Sequence, residues 1–167
     1  LSPHVPPTDF TIGIDEPEIV AARAARAADF PALKIKCGGP ADLATLRAVR
    51  EVFAGPIRVD ANTGWTRDTA EALLPELVDI GVELIEQPFG AKAYRDLAWL
   101  QERSSLPIVA DESCVFPEDL AVLKDVVAAD WAGDGGDFAV ARLVEGAHTI
   151  ELPVGRVVAT VARVSRL

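Results

Sequence analysis

The chain has 167 residues, half of them hydrophobic, and a formal net charge of -10 at pH 7. This length and hydrophobic content are enough for one domain with a packed core, while the spread of acidic residues leaves no basic patch for nucleic acid and suits a soluble protein or a cation site. No apolar run reaches the roughly 20 residues of a membrane helix, and no secretion signal is recognisable. We therefore predict a cytoplasmic protein with neither a nucleic-acid nor a membrane partner.

Two further features of the composition concern the ends of the chain and its thiols. The sequence begins at Leu1 and contains no methionine, so we interpret it as a piece of a longer or processed protein. Cys37 and Cys114 form no CxxC pair and have no histidines at ligand spacing. They are predicted to be buried free thiols.

Strands and helices are predicted to alternate along the first three quarters of the chain. A start signal is visible for the third helix, where Thr66 is a suitable N-cap, and Pro75 is expected to kink it. The predicted strands cover residues 10–14, 33–37, 57–60, 82–86 and 107–110, and the predicted helices cover 18–28, 42–53, 69–80, 94–103 and 117–126. Such a succession predicts a parallel sheet with right-handed crossovers.

Charged residues decide between two architectures, an open doubly wound sheet and part of an eight-unit barrel, which needs roughly 250 residues. Lys36, Asp60, Glu86 and Asp111 stand at the carboxyl ends of strands two to five, at intervals of 24, 26 and 25 residues. In a flat sheet they would form a row, whereas a barrel directs them towards one centre. We therefore predict an α/β fold, a partial (β/α) TIM-type barrel of about five strand-helix units.

Three carboxylates that converge on one point need a cation between them. Oxygen ligands without histidine or thiolate favour a hard metal, Mg²⁺ first and Mn²⁺ second. Asp60, Glu86 and Asp111 are the predicted ligands.

Lys34 and Lys36 lie two residues apart in a strand, so their side chains are predicted to share one face. Neighbouring cations and partial burial lower the pKa of a lysine, which makes a neutral amine accessible as a base. A lysine base beside a metal suits removal of a proton alpha to a carboxylate, because the metal offsets the charge that develops.

Five segments carry a family resemblance: "TDFTIGIDEPE" near the start, "KIK" at Lys34 to Lys36, "DANTGW" from Asp60, "IEQPF" from Ile85 and "ADESC" from Ala110. With them the chain resembles the barrel domain of the enolase superfamily, muconate-lactonizing subgroup, and within it most the dipeptide epimerases. The resemblance covers residues 8 to 126. It implies an isomerase that uses Mg²⁺ and acts on a small carboxylate substrate, a dipeptide of the L-Ala-D/L-Glu type.

The same resemblance assigns roles to individual residues. Lys36 is implied as the acid/base on one face of the substrate, and Lys34 as the group that polarises the substrate carboxylate and lowers the pKa of its neighbour. Asn62 and Gln87 are implied to contact either the metal ligands or the substrate. Glu112 is predicted either to support the adjacent ligand or to be a plain surface acid.

The chain departs from the family pattern after residue 127. The family carries a second acid/base lysine on strand six, but one unit beyond Asp111 there is only "DWAGDGGDF". We predict that residues 1–127 are the first part of the barrel domain and that 128–167 are an atypical tail. Two origins are open for the tail: translation out of frame after a shift near Val127, or a divergent end whose strands at 149–152 and 156–164 cover the open side.

The capping domain and last strands of the family have no counterpart in this sequence. The chain is therefore predicted to be a fragment with two exposed sheet edges and a tendency to self-associate into homo-oligomers. Three functions remain open: a dipeptide epimerase fragment, a cycloisomerase or dehydratase of the same superfamily, or a catalytically inactive remnant.

Overall fold

The computed structural model describes residues 8–115, 119, 128–131, 138–144, 147–151 and 157–161. Its first part alternates strand and helix as predicted. The elements are β1 (Asp9–Ile12), α1 (Pro17–Arg26), β2 (Ala32–Lys36), α2 (Asp42–Val52), β3 (Ile57–Asp60), α3 (Arg67–Ile80), β4 (Val82–Glu86), α4 (Tyr94–Gln101) and β5 (Ile108–Val109). The helix predicted at 117–126 lies, apart from residue 119, outside the described residues.

The five strands form one parallel sheet whose order, β1-β2-β3-β4-β5, is the order of the chain. A doubly wound sheet reverses its strand order part of the way along, and these five strands do not. The arrangement is that of consecutive units of a barrel, which confirms the predicted α/β fold. The register pairs Lys36 with Asp60 and Asp60 with Glu86, so three of the predicted site residues are neighbours across the strand ends.

The core lies between the sheet and its helices. Alternate residues of the strands, among them Leu33, Ile35 and Val59, are fully buried with helix residues such as Val20 and Leu46. The residues between them in the strands, including both lysines of β2, therefore lie on the opposite face. Thr66 caps α3 as predicted, because its side chain accepts a hydrogen bond from the N–H of Thr69.

The later strands form a second sheet. They are β6 (Ala128–Trp131), β7 (Phe138–Val144), β8 (Ala147–Glu151) and β9 (Val157–Val161), each antiparallel to the one before. The strands predicted at 149–152 and 156–164 correspond to β8 and β9, with shifted bounds. No hydrogen-bonded strand pair joins the two sheets among the described residues.

Two smaller expectations concern the thiols and the membrane. Cys37 is buried and Cys114 is partly buried, and neither forms a disulfide. In the part of the chain that the structure describes, no helix has the length and apolarity to cross a membrane.

Candidate active site

Four charged side chains meet at the carboxyl ends of β2, β3 and β4, and we call this group the lysine cluster. It consists of Lys34, Lys36, Asp60 and Glu86. The Nζ atom of Lys36 lies 2.6 Å from Oδ2 of Asp60, and that of Lys34 lies 3.5 Å from the same oxygen. The two lysines therefore converge on one carboxylate, as their spacing in β2 predicts.

Asp60 is the buried centre of the cluster, with no exposed surface. Besides the two ammonium groups on Oδ2, it accepts the backbone N–H of Asn62 on Oδ1 at 3.1 Å. A buried carboxylate is stable only when its oxygens are hydrogen-bonded and its charge is compensated, and both conditions are met here.

Glu86 receives two hydrogen bonds from Lys34, whose Nζ lies 3.1 Å from each carboxylate oxygen. Burial raises the pKa of Glu86 above its usual range. The contact with Lys34 opposes this rise, while the negative charges of Asp60 and Asp111 reinforce it. The charges of both other predicted metal ligands therefore raise the pKa of Glu86.

The pKa of Lys34 departs from the expectation for a catalytic lysine. Burial lowers it, but the hydrogen bonds and charges of Glu86 and Asp60 outweigh burial, so the net direction is upward from 10.5. The sequence suggested only burial and a neighbouring cation as influences on the pKa of a lysine here, and the carboxylates of Glu86 and Asp60 act on Lys34 in the opposite direction. In this arrangement Lys34 is held as an ammonium group.

The donor set suits a hard cation. Carboxylates lie at the end of β3, at the end of β4 and two residues after β5, and oxygen donors are what Mg²⁺ prefers. Nevertheless, no three His, Cys, Asp or Glu side chains within the described residues are arranged to hold a metal ion. Asp60 and Glu86 accept hydrogen bonds from the two ammonium groups, which compensate their charge.

Gln87 connects β4 to the segment after β5. It is fully buried and uses its whole amide group: Oε1 accepts the backbone N–H groups of Asp111 (2.9 Å) and Ser113 (3.1 Å), and Nε2 donates to Phe89 O and Ser113 Oγ, both at 2.7 Å. An amide with all of its hydrogen bonds made inside the protein has none left for a substrate. Gln87 instead sets where Asp111 lies relative to Glu86.

Asn62 and Glu112 each lie within two residues of a predicted metal ligand in the chain. Asn62 has a φ of 45°, in the left-handed region that asparagine tolerates better than most residues, and its N–H binds Asp60. Glu112 is partly buried, and its Oε2 meets no hydrogen-bond partner within the described residues. Asp111 itself is exposed.

Sequence reasoning missed three residues around the cluster: Asp42, Trp65 and Ser113. Each is buried and each forms hydrogen bonds to the loops that follow the strands. Ser113 and Trp65 lie inside segments that carried the family resemblance, but their residue types gave no sign of charge or metal chemistry. The only available signal for Asp42 was an aspartate at a helix start, which is ordinarily read as a helix-stabilising charge.

Comparison with known proteins gives one family and several relatives. Residues 19–164 match the model of the family described as enolase C-terminal domain-like. An L-Ala-D/L-Glu epimerase of Bacteroides thetaiotaomicron is 41% identical over 121 residues, which are 71% of this chain and 32% of that protein. A hydrophobic dipeptide epimerase of Enterococcus faecalis is 38% identical over 118 residues, covering 67% of this chain and 33% of its own length.

Solved structures agree with these relatives. A dipeptide epimerase from Cytophaga hutchinsonii, complexed with Mg and the dipeptide D-Ala-L-Val, superposes with a TM-score of 0.68 at 33% identity, covering 74% of this chain and 35% of its own. The substrate-liganded L-Ala-D/L-Glu epimerase of Bacillus subtilis gives a TM-score of 0.64, also at 33% identity, covering 68% of this chain and 34% of its own. The chain spans about a third of the length of the relatives it matches.

Proposed function

Since the chain belongs to the enolase C-terminal domain-like family, we propose that it carries the first half of a Mg²⁺-dependent dipeptide epimerase site and removes the proton alpha to the carboxylate of a dipeptide. The observation that supports this most directly is the convergence of Lys36 and Lys34 on Asp60 at the carboxyl ends of parallel strands. In barrel enzymes of this kind, catalytic groups lie at that end of the sheet.

Lys36 is the proposed acid/base. Its side chain is 29% exposed, so a substrate can reach the amine, and a lysine is able to give up its proton at a site of this kind. Its contact with Asp60, at 2.6 Å, orients the amine towards the end of β3.

Lys34 is the proposed partner of the substrate carboxylate. It remains an ammonium group here, because Glu86 and Asp60 raise its pKa, and a fixed positive charge suits a group that binds a carboxylate. This role needs no proton transfer from Lys34 itself.

Asp60, Glu86 and Asp111 are the proposed Mg²⁺ ligands, supported by their oxygen donors and by the Mg complex of the Cytophaga relative. When bound, the metal would supply a positive charge beside the substrate carboxylate and so favour loss of the alpha proton. Gln87 would keep Asp111 and Glu86 in place, and Asn62 would do the same for Asp60 through its N–H. Glu112 would support Asp111 as its neighbour in the chain.

The lysine content of the sequence favours proton exchange on one face of the substrate over full epimerisation. The chain contains only Lys34, Lys36, Lys92 and Lys124, so no lysine lies one unit beyond Asp111. Epimerisation by two bases needs a group on each face of the substrate. We therefore expect this chain to exchange the alpha proton with solvent on one face without inverting the centre.

Proton exchange tests this function. The protein is incubated with Mg²⁺ in D₂O and either L-Ala-L-Glu or L-Ala-D-Glu, and the alpha-proton signal of the Glu residue is followed by NMR while chiral analysis follows formation of the other epimer. Loss of the signal from one of the two epimers, without formation of the other, is expected. Lys36→Ala should abolish the exchange, and Lys92→Ala, which changes an exposed lysine, is the matched control.

Each result has a clear meaning for the proposal. A folded protein that exchanges no proton contradicts the proposed activity of this chain and favours the inactive remnant. Exchange that survives Lys36→Ala removes Lys36 from its role. Accumulation of L-Ala-D-Glu would show that a second base acts on the other face.

A further inference from the structure

Asp42 is a buried carboxylate without an ion-pair partner among the described residues. It begins α2 and has a relative exposure of 6%. Its Oδ1 accepts the N–H groups of Gly38 (3.1 Å) and Gly39 (3.0 Å), and its Oδ2 accepts the N–H of Gly38 (2.9 Å) and the indole N–H of Trp65 (2.8 Å). Three N–H groups therefore compensate a charge that is costly to bury.

These donors belong to the two loops that follow β2 and β3. Gly38 lies two residues after Lys36, and Trp65 lies five residues after Asp60. The same strand ends are also joined by the backbone N–H of Cys37, which donates to Asp60 O at 2.7 Å. Asp42 thus adds a side-chain link between the segment that carries Lys36 and the segment that carries Asp60.

The two loops touch through their backbones. Gly38 has a φ of 117°, and a Cβ added there would lie 2.7 Å from Ala61 O. A Cβ added at Gly64 would lie 2.6 Å from the Cα of Gly38. No side chain fits between the loops, so their relative position depends on hydrogen bonds and on glycine at both places.

We propose that Asp42 is a positioning residue that fixes the ends of β2 and β3 relative to each other and thereby holds the ammonium group of Lys36 at Asp60. The inference rests on the proposed function in so far as Lys36 is the base. Lysine has a long flexible side chain, so the position of its amine depends on a firmly held backbone. A misplacement of about 1 Å at a reacting group can lower a rate by about 100-fold.

Asp42→Asn is the principal test because both oxygens of Asp42 accept hydrogen bonds. An asparagine that keeps its oxygen towards the two glycines must direct its NH₂ group at the indole N–H of Trp65, and two donors then face each other. We expect the exchange rate at saturating substrate to fall about 10-fold to 100-fold, with KM changed much less.

Trp65→Phe supplies the rescue. It removes the indole N–H and keeps an aromatic ring, so alone it should cause only a small loss of exchange. In Asp42→Asn combined with Trp65→Phe, the NH₂ group no longer faces a donor, and the rate should return to that of Trp65→Phe. Asp68→Asn, at an exposed position in the first turn of α3, is the matched control for loss of a helix-start charge.

A second measurement reports the position of Lys36 without requiring catalysis. The proteins are treated briefly with acetic anhydride, and acetylation of Lys36 relative to exposed Lys92 is measured by mass spectrometry. We expect Asp42→Asn to raise the relative labelling of Lys36 several-fold, and the combined variant to reverse this. If Asp42→Asn does not fold, Trp65→Phe should show a smaller rise in the same direction.

The two measurements separate the two proposals. A parent protein without exchange contradicts the proposed function, while the labelling still decides the role of Asp42. Unchanged labelling of Lys36 in a folded Asp42→Asn protein overturns the inference. The inference is also overturned if the combined variant loses as much exchange activity, expressed as free energy, as the two single variants together, because independent structural damage adds up.

Discussion

Two charged clusters lie side by side on the same face of the parallel sheet, and they differ in the type of cation that they contain. The second one, which we call the arginine cluster, consists of Asp9, Arg58 and Glu83. The register pairs Lys34 with Arg58 and Lys36 with Asp60, so Arg58 lies level with Lys34 and two residues before Asp60 along β3. Both clusters are partly exposed, and both join neighbouring strands.

The difference lies in what each cation can do chemically. Arg58 donates to Glu83 at 2.8 Å and to Asp9 at 3.1 Å, and although burial lowers its pKa, these two carboxylates outweigh burial and raise it. A guanidinium group never loses its proton under ordinary conditions, whereas a lysine amine does when its surroundings allow. Similar geometry therefore suits cohesion in the arginine cluster, whereas the lysine cluster also contains a group able to perform the acid-base chemistry that we propose.

The largest expected effect comes from making the lysine cluster resemble the arginine cluster. Lys36→Arg keeps the positive charge beside Asp60 but removes the proposed proton-transfer group, so exchange at the alpha carbon should fall by about 100-fold or more. The unfolding midpoint should remain close to that of the parent. NMR exchange and thermal unfolding measure the two quantities, and Arg58→Lys is the control, with exchange retained. Substantial exchange by Lys36→Arg would contradict the distinction between the clusters.

The next effect concerns cation binding. Asp60→Asn removes a carboxylate that contacts both lysines, and we expect Mg²⁺ to bind about 10-fold or more weakly. Isothermal titration calorimetry gives the affinity directly. Asp9→Asn removes a carboxylate from the arginine cluster and should leave Mg²⁺ binding unchanged. Equal affinities for the parent and Asp60→Asn would remove Asp60 from the proposed ligands.

Removal of the guanidinium group should affect stability rather than chemistry. Arg58→Met leaves Asp9 and Glu83 without their shared partner, and we expect a loss of about 1 to 2 kcal/mol in the free energy of unfolding. Chemical denaturation measures this loss. The exchange rate per folded molecule should not change, and a large fall in that rate would show that the two clusters are functionally coupled.

The smallest effect is a pH dependence in metal-free buffer. The pKa of Lys34 is raised above 10.5, so the folded state holds this proton more tightly than the unfolded chain. Its stabilising contribution is present in full below pH 10.5 and is lost as the pH rises through the folded-state pKa. Lys34→Met should therefore flatten the fall of the unfolding midpoint above that pH, while Lys92→Met should not. Identical slopes for the parent and Lys34→Met would contradict the assigned direction.

The sequence was sufficient to predict the charged residues at the strand ends, because one such residue recurs in each strand-helix unit. Lys36, Asp60 and Glu86 stand at the same phase of successive units, and periodicity converts that spacing into proximity once the strands are parallel. The prediction that both lysines share one face also follows from strand geometry, and their contacts with Asp60 confirm it.

The sequence was not sufficient to predict the side chains that hold the loops in place. Asp42 acts through backbone N–H groups, which every residue except proline has, so no side-chain pattern identifies its partners. The direction of the Lys34 pKa depends on which charges lie closest, and distances between units are fixed only by the fold. Gln87 is similar, since only the folded structure shows that its amide makes its hydrogen bonds within the protein.

The origin of the change in sequence pattern after residue 127 stays a prediction. The described strands there pair in antiparallel fashion, and the family match extends across them to residue 164. Sequencing the coding DNA across residues 124–137 in all three frames separates the two origins. A shifted frame that supplies a strand ending in lysine indicates an out-of-frame tail, and the absence of such a frame indicates a divergent end.

The unbroken order of the five parallel strands also has a consequence for synthesis on the ribosome. Each strand after β1 pairs with the strand of the unit made just before it, so every new unit finds its docking edge already outside the exit tunnel. Such sequential pairing keeps the sequence separation between partner strands shorter than a pairing of distant strands would, and a shorter separation favours faster folding. Translation can thus add the units of this sheet one at a time, in the order in which their strands pair.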